Sequence, residues 1–253
     1  MLWKRSARPL TIHFGAKSDV GQVRTENQDD FGRFPVVRSS RNGEHLFVVA
    51  DGMGGHEDGG HASRVAVEAV GDTYFGSSEG SVEDRLHRSV GEANARVYQF
   101  AQGGGIPKKM GTTCTALALV GEDAYLAHVG DSRAYLINKK GIVQLSRDHT
   151  LVEALMREGV LTVDEAARHP QRHALVRAIG IEPQVQVDVK QLHTPQAGDA
   201  FLLCSDGLAR VTNIEIRDIV RSEAPQQAAE TLVQLANDRG GHDNVTVLVV
   251  KVE

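Results

Sequence analysis

The chain has 253 residues, 41% hydrophobic and 24% charged, which supplies a substantial core and excludes a disordered or fibrous protein. A formal net charge of −5 gives no basic footprint for nucleic acid, and no run reaches the roughly 18 apolar residues of a membrane span. The opening MLWKRSARPLTIHF is basic but lacks the apolar stretch of a signal peptide, so the cytoplasm is the expected location, with no membrane partner.

Residues 1–12 read as a lead-in. A Val/Leu-rich run then predicts a strand over Leu46 to Ala50. Ala62, Ala66 and Ala69, and after them Leu86, Val90, Ala93, Val97 and Phe100, recur at helical spacing and predict two helices, each with one apolar face. Strands are predicted over Thr112 to Val120, Asp123 to Val129 and Ala134 to Ile137. Between Asp148 and Gly180 the character changes. Leu151, Leu155 and Met156 mark one short helix and Thr162 to Ala167 another, joined by polar loops. Strands resume over Val185 to Leu192 and Ala200 to Cys204, Ala228, Leu232 and Leu235 mark a helix, and Val245 to Val252 closes the chain. Blocks of strands with amphipathic helices between and after them predict an α+β fold, with sheets packed on each other and covered by helices. No Pro- or Ser-rich linker and no repeat divides the chain, so residues 1–253 are expected to form a single domain.

Four aspartates stand where predicted strands end or begin, each beside a glycine or an asparagine: Asp51, Asp131, Asp206 and Asp243. Aspartate is a poor strand residue and costly to bury alone, so carboxylates repeated at the lip of an apolar sheet need a counter-charge. Two carboxylates about 4 Å apart repel by on the order of 4 kcal/mol at an effective dielectric near 20. A divalent metal relieves that repulsion, and all-oxygen ligation suits Mg²⁺ or Mn²⁺ better than zinc. Gly52 and Gly207 let the chain turn sharply after the carboxylate, and Gly52 leaves its carbonyl accessible as a further ligand. One Asp-Gly pair is an ordinary turn signal; four such sites together are not.

Arg24-Thr-Glu-Asn-Gln-Asp29, Val49-Ala-Asp-Gly-Met-Gly-Gly-His56, Gly111-Thr-Thr113, Val129-Gly-Asp-Ser-Arg133, Ser205-Asp-Gly207 and Asp243-Asn-Val245 resemble, in order, the motifs of metal-dependent serine/threonine protein phosphatases of the PPM type, also called type 2C. The likeness is closest to the bacterial branch and runs from about residue 13 to the end. It implies a central β-sandwich of two antiparallel sheets flanked by helices, with a flap over about residues 148–180. It also implies two Mn²⁺ or Mg²⁺ ions and a third, weaker one. Asp51 then bridges two metals, the Gly52 carbonyl ligates one of them, and Asp206 and Asp243 ligate the other. Asp131 with Asp206 holds the third, Asp29 orients metal-bound water from behind, and Arg24 receives the substrate phosphate. Gln28 stands where some members carry glutamate.

The implied reaction is hydrolysis of phosphoserine and phosphothreonine in proteins by a metal-bridged hydroxide, reversing the work of a cognate bacterial Ser/Thr kinase. A monomer is expected. Many eukaryotic relatives place a histidine directly after the Asp-Gly of the first motif, where this chain has Met53, which cannot donate a proton. His56 lies off that position, and metal-bound water is the other candidate donor for the leaving group, so the role stays open. His173 stands where many bacterial relatives have asparagine.

Two other readings compete. Cys204 and Arg210 form C-x₅-R, the spacing of cysteine-dependent phosphatases, although Asp206 would put a negative charge inside the phosphate cradle. Cys114 and Cys204 both lie in apolar runs and read more simply as small buried hydrophobes. A regulatory binding module that has lost turnover would show degenerate aspartates, and here all four are intact. Among the eleven histidines, His56, His61, His128, His149, His169, His173 and His242 show no H-E-x-x-H or comparable ligand pair and are expected to cap loops or hydrogen-bond locally.

Overall fold

The computed structural model describes residues 11–35, 43–55, 58–103 and 110–253; His56 and most of the lead-in lie outside them. The elements in chain order are β1 (Ile12–Asp19), β2 (Asp29–Phe34), β3 (His45–Gly54), α1 (Asp58–Gly76), α2 (Val82–Gln102), β4 (Met110–Thr112), β5 (Cys114–Val120), β6 (Asp123–Val129), β7 (Arg133–Asn138), β8 (Gly141–Gln144), α3 (Leu151–Arg157), α4 (Val163–Arg168), β9 (Asp188–Gln191), β10 (Ala200–Cys204), α5 (Asn213–Ser222), α6 (Pro225–Asp238) and β11 (Val245–Val252). One sheet runs β1-β11-β10-β7-β8 and the other β2-β3-β5-β6-β9, with β4 paired to the end of β3. Every pairing is antiparallel.

The central strands are apolar on both faces, and their alternation builds three cores. Phe47 and Val49 of β3 meet Phe201 and Leu203 of β10 and Leu248 and Val250 of β11 between the sheets. Leu46, Val48 and Ala50 of β3 face the other way, onto Ala62, Ala66 and Val70 of α1 and Val90, Ala93 and Val97 of α2. Leu202, Val247 and Val249 likewise pack on Ile216 and Val220 of α5 and on Leu232 and Val233 of α6. The result is the expected α-β-β-α layering. Each fully buried Phe or Leu in these layers contributes about 1.5–3 kcal/mol, so the sandwich is a stiff frame for the loops at its strand ends.

Several boundaries differ from those expected. The run Thr112 to Val120 is two strands, because Thr113 turns its backbone N–H and hydroxyl to the main chain of Asp51 and interrupts the ladder. Val185 to Leu192 shortens to Asp188–Gln191. Phe100 does not join the apolar face of α2: it is 44% exposed, with its ring 4.0 Å from that of His61. β1 begins at Ile12, inside the expected lead-in. The strands β1, β2 and β8 and helix α5 were not expected at all. In the 148–180 segment two short helices form as expected, each capped by a threonine: Thr150 accepts from Glu153 N–H, and Thr162 shares a capping box with Glu165.

Candidate active site

Strand ends of both sheets open into one cleft of about 700 Å³. Asp51 reaches it from β3, Asp131 from the β6–β7 loop, Asp206 from the turn after β10, and Asp243 from just before β11. Arg24, Gln28, Gly52, Met53, Thr113 and His173 line it as well. Residues more than 190 positions apart therefore share one wall, which only the closed sandwich can arrange.

The backbone of Asp51 is held tightly. Its N–H donates to Thr113 Oγ1 at 2.9 Å, and its carbonyl accepts from Thr113 N–H and from Thr112 Oγ1, each at 2.9 Å. The Thr113 hydroxyl is shared at 2.7 Å with Ser132, the neighbour of Asp131, so two candidate ligands hang on one buried hydroxyl pair. Gly52 is required by packing: a Cβ there would overlap the carbonyl oxygens of Gly59 and Gln28. Asn244 ties the loop bearing Arg24 to Asp243, accepting from Gln28 N–H at 2.8 Å and donating to the carbonyls of Val20 and Glu26 at 3.0 and 2.9 Å. Arg24 Nη2 then donates to Asp243 Oδ2 at 2.8 Å.

Asp29 does not line the cleft. It is the cross-strand partner of Asp51 in the β2–β3 register, and its Oδ2 accepts from the hydroxyls of Ser205 and Thr246, both at 2.7 Å. Its Oδ1 is buried without a partner. Burial pushes this carboxyl up to about 6 against those two hydrogen bonds, with Asp206 and Asp243 adding repulsion. Asp51 is lifted well above the carboxylate range, first by burial and then by Asp29, Asp206, Asp131 and Asp243. Asp131 rises to about 7 through burial, Asp206 and Asp148. Asp206 rises through burial and Asp243.

Among the described residues the carboxylates do not close on a single point as a group of three acidic, imidazole or thiol side chains able to hold one ion. Instead Asp243 faces Arg24, and Asp206 faces His173 Nδ1 at 3.7 Å. The donor set still fits hard divalent cations. Every candidate ligand is an oxygen, the aspartates repel one another, and an orphaned buried carboxylate oxygen stands directly behind Asp51.

His149 hydrogen-bonds locally, as expected of the histidines, and in doing so positions the Asp131 loop, a role the sequence did not assign. Its N–H donates to the Gly130 carbonyl at 2.7 Å, and its Nδ1 accepts the Gly130 N–H at 3.1 Å. Accepting at Nδ1 keeps the imidazole neutral, with Nε2 between Asp188 Oδ2 at 3.2 Å and Arg177 Nη1 at 3.1 Å; burial holds its pKa down. Gly130 has φ +110°, so this clamp fixes a backbone turn that glycine alone favours. His149→Ala leaves a buried N–H unsatisfied, and thermal melting is expected to read a loss of about 1–3 kcal/mol. Ser132, Ser205, Asn244 and Thr246 were also missed as positioning groups, although polar residues at the ends of apolar runs were a legible signal.

Cys204 faces the core between sheet and helices, where burial pushes its thiol up to about 12. Arg210 donates to the Arg239 carbonyl at 3.3 Å. A C-x₅-R phosphate cradle needs a lowered thiol pKa, so this geometry argues against it. Cys114 is equally buried and also raised to about 12. Among the described residues no helix is long and apolar enough to cross a membrane.

The model of the Protein phosphatase 2C family matches residues 21–247. A serine/threonine phosphatase of Listeria welshimeri is 35% identical over 246 residues, covering 95% of this chain and 96% of that relative. The S. agalactiae serine/threonine phosphatase superposes with a TM-score of 0.87 at 34% identity, covering 96% of this chain and all of that one. The catalytic domain of the serine/threonine phosphatase PstP, solved in complex with two manganese ions, superposes with a TM-score of 0.80 at 33% identity, over 96% of this chain and 99% of that one. With the sandwich, the ordered motifs and near-complete coverage all in agreement, this chain belongs to the protein phosphatase 2C family and is a protein-serine/threonine phosphatase.

Proposed function

We propose that the chain hydrolyses phosphoserine and phosphothreonine in cytoplasmic proteins with the help of two Mn²⁺ or Mg²⁺ ions and a third, weaker one. The observation that carries this reading is the arrival of Asp51, Asp131, Asp206 and Asp243 from both sheets on one cleft, with Arg24 beside them. Asp51, Asp206, Asp243 and the Gly52 carbonyl are the proposed ligands of the pair, and Asp131 with Asp206 those of the third. When bound, such ions lower the pKa of water and neutralise charge building on the phosphoryl oxygens.

The chain's own groups do the remaining work. Arg24 is 55% exposed at its side chain, so its planar fork can leave Asp243 and take two phosphate oxygens. Asp29, fixed by Ser205 and Thr246, keeps one oxygen free to accept a proton or a hydrogen bond from the direction of Asp51. The Thr113–Ser132 pair and the His149 clamp hold Asp51 and Asp131 in place, so little reorganisation is needed at the moment of reaction. A cognate Ser/Thr kinase supplies the phosphoproteins, and the enzyme acts as a monomer.

Phosphate release from a phosphothreonine peptide tests the reading. Turnover is expected with Mn²⁺, to vanish with chelator and to survive Cys204→Ser. Chelator-resistant turnover lost in Cys204→Ser would support the thiol mechanism instead. Silence from folded, metal-loaded protein would leave a binding module. Arg24→Ala is expected to lower kcat/KM by about 10- to 100-fold, mostly through KM, because a charge-assisted hydrogen bond is worth about 1.5–3 kcal/mol. Steady-state kinetics beside a thermal melt separates that loss from misfolding.

A further inference from the structure

Beside the main cleft lies a second, smaller groove of about 290 Å³ between α3, α4 and the Asp131 loop. The two cavities share Asp131, His173 and Asp206, so a chain crossing the cleft can enter the groove without leaving the protein surface. Its walls carry Val152 and Met156 from α3 and Val163 and Ala166 from α4. These helices are seven and six residues long, and each buries only one side chain, Val152 and Ala166. Val163 is left 76% exposed at the groove. Two helices this short bury little against each other, and the apolar side chains they leave beside the reaction site give a substrate residue something to pack on. At about 290 Å³ the groove falls just short of small-molecule pockets and suits one side chain.

We propose that this groove is a specificity subsite that receives an apolar side chain of the phosphoprotein, within three residues of the phosphorylated one. The proposal rests on the phosphatase reading above and adds to it a substrate class: phosphosites flanked by Leu, Ile, Met or Phe. Continuity with the cleft names the occupant, because the reacting residue at the aspartates leaves its neighbours in the chain nowhere to go but along the adjoining surfaces. Arg133, Asp148, Glu153 and Arg172 also line the groove, so its charge is mixed and the selection rests on the apolar walls.

The test compares phosphothreonine peptides that differ at one position, Leu against Ser against Asp, scanned three residues to either side. The control is p-nitrophenyl phosphate, which has no flanking residues. One position is expected to favour Leu over Ser by about tenfold in kcat/KM, the value of partly burying one apolar side chain. Met156→Lys and Val163→Lys, at half-buried and exposed positions, are expected to fold and to cut that preference below about twofold with unchanged turnover of p-nitrophenyl phosphate. A flat scan, or a preference intact in both variants, would overturn the subsite while leaving the phosphatase reading standing. Loss of all turnover by the metal-loaded wild type on both substrates would instead remove the reading and the subsite together.

Discussion

Asp51→Asn is expected to fold, to bind Mn²⁺ poorly and to lose about 10²–10³-fold or more in turnover, the scale on which one electrostatic element of a reaction centre counts. The amide is isosteric, and the three bonds that hold this position run through the Asp51 backbone, not its side chain. The substitution therefore removes charge without removing the scaffold. A second consequence separates it from damage. Burial and four neighbouring aspartates raise the Asp51 pKa, so its ionised form is disfavoured in the metal-free fold. Asp51→Asn should melt higher than wild type without metal and gain less on adding Mn²⁺. Asp243→Asn should lose turnover likewise but keep less stability, since it also gives up the pair with Arg24. Near-normal rates in both variants would refute the assignment of these two aspartates.

The second large effect is an inverted pH dependence in metal-free protein. A carboxyl whose folded pKa lies above its unfolded one binds its proton more tightly in the fold. Its favourable contribution is present at low pH and is lost as pH rises from the unfolded towards the folded value. For Asp131, at about 7, the window runs from about pH 4 to 7, and the loss approaches about 4 kcal/mol. His128 opposes this: burial holds it near 4, so it favours the fold increasingly as pH rises towards 6.5. The aspartate contribution is therefore read as a difference. Metal-free wild type should lose stability relative to Asp131→Asn as pH rises through that window. Saturating Mn²⁺ should close the gap, because bound cations favour the ionised carboxylates. Melting curves of both proteins at several pH values, with and without Mn²⁺, check it; a gap independent of pH would contradict the burial assigned to Asp131.

Legibility in the sequence followed burial. β10 is a continuous apolar run and β6 and β11 are mostly apolar because both their faces are covered, and the bounds of all three were legible in the chain. β1 and β2 were invisible: as sheet edges they are only partly buried, and Asp, Gly, Lys and Arg interrupt them. α5 offered a capping box, Thr212 with Glu215, that was open to reading, but its apolar residues, Ile214, Ile216, Ile219 and Val220, are all β-branched and start in alternation, which obscured the helical period. Phe100 sat at a helical interval yet faces outward, because spacing assigns a face only as far as the helix has something to cover.

What the amino-acid order determined alone is short-range: period, caps, apolar runs, and ordered motifs that resemble one phosphatase family. What only the tertiary structure decided is long-range. The hydroxyls that hold Asp29 come from 176 and 217 residues away, Arg24 meets Asp243 across 219, and the flap groove exists only where two short helices stand beside the Asp131 loop. Such contacts carry no local pattern. They follow from the closure of two sheets on a common core, whose burial energy is spread over many residues and points to no single pair.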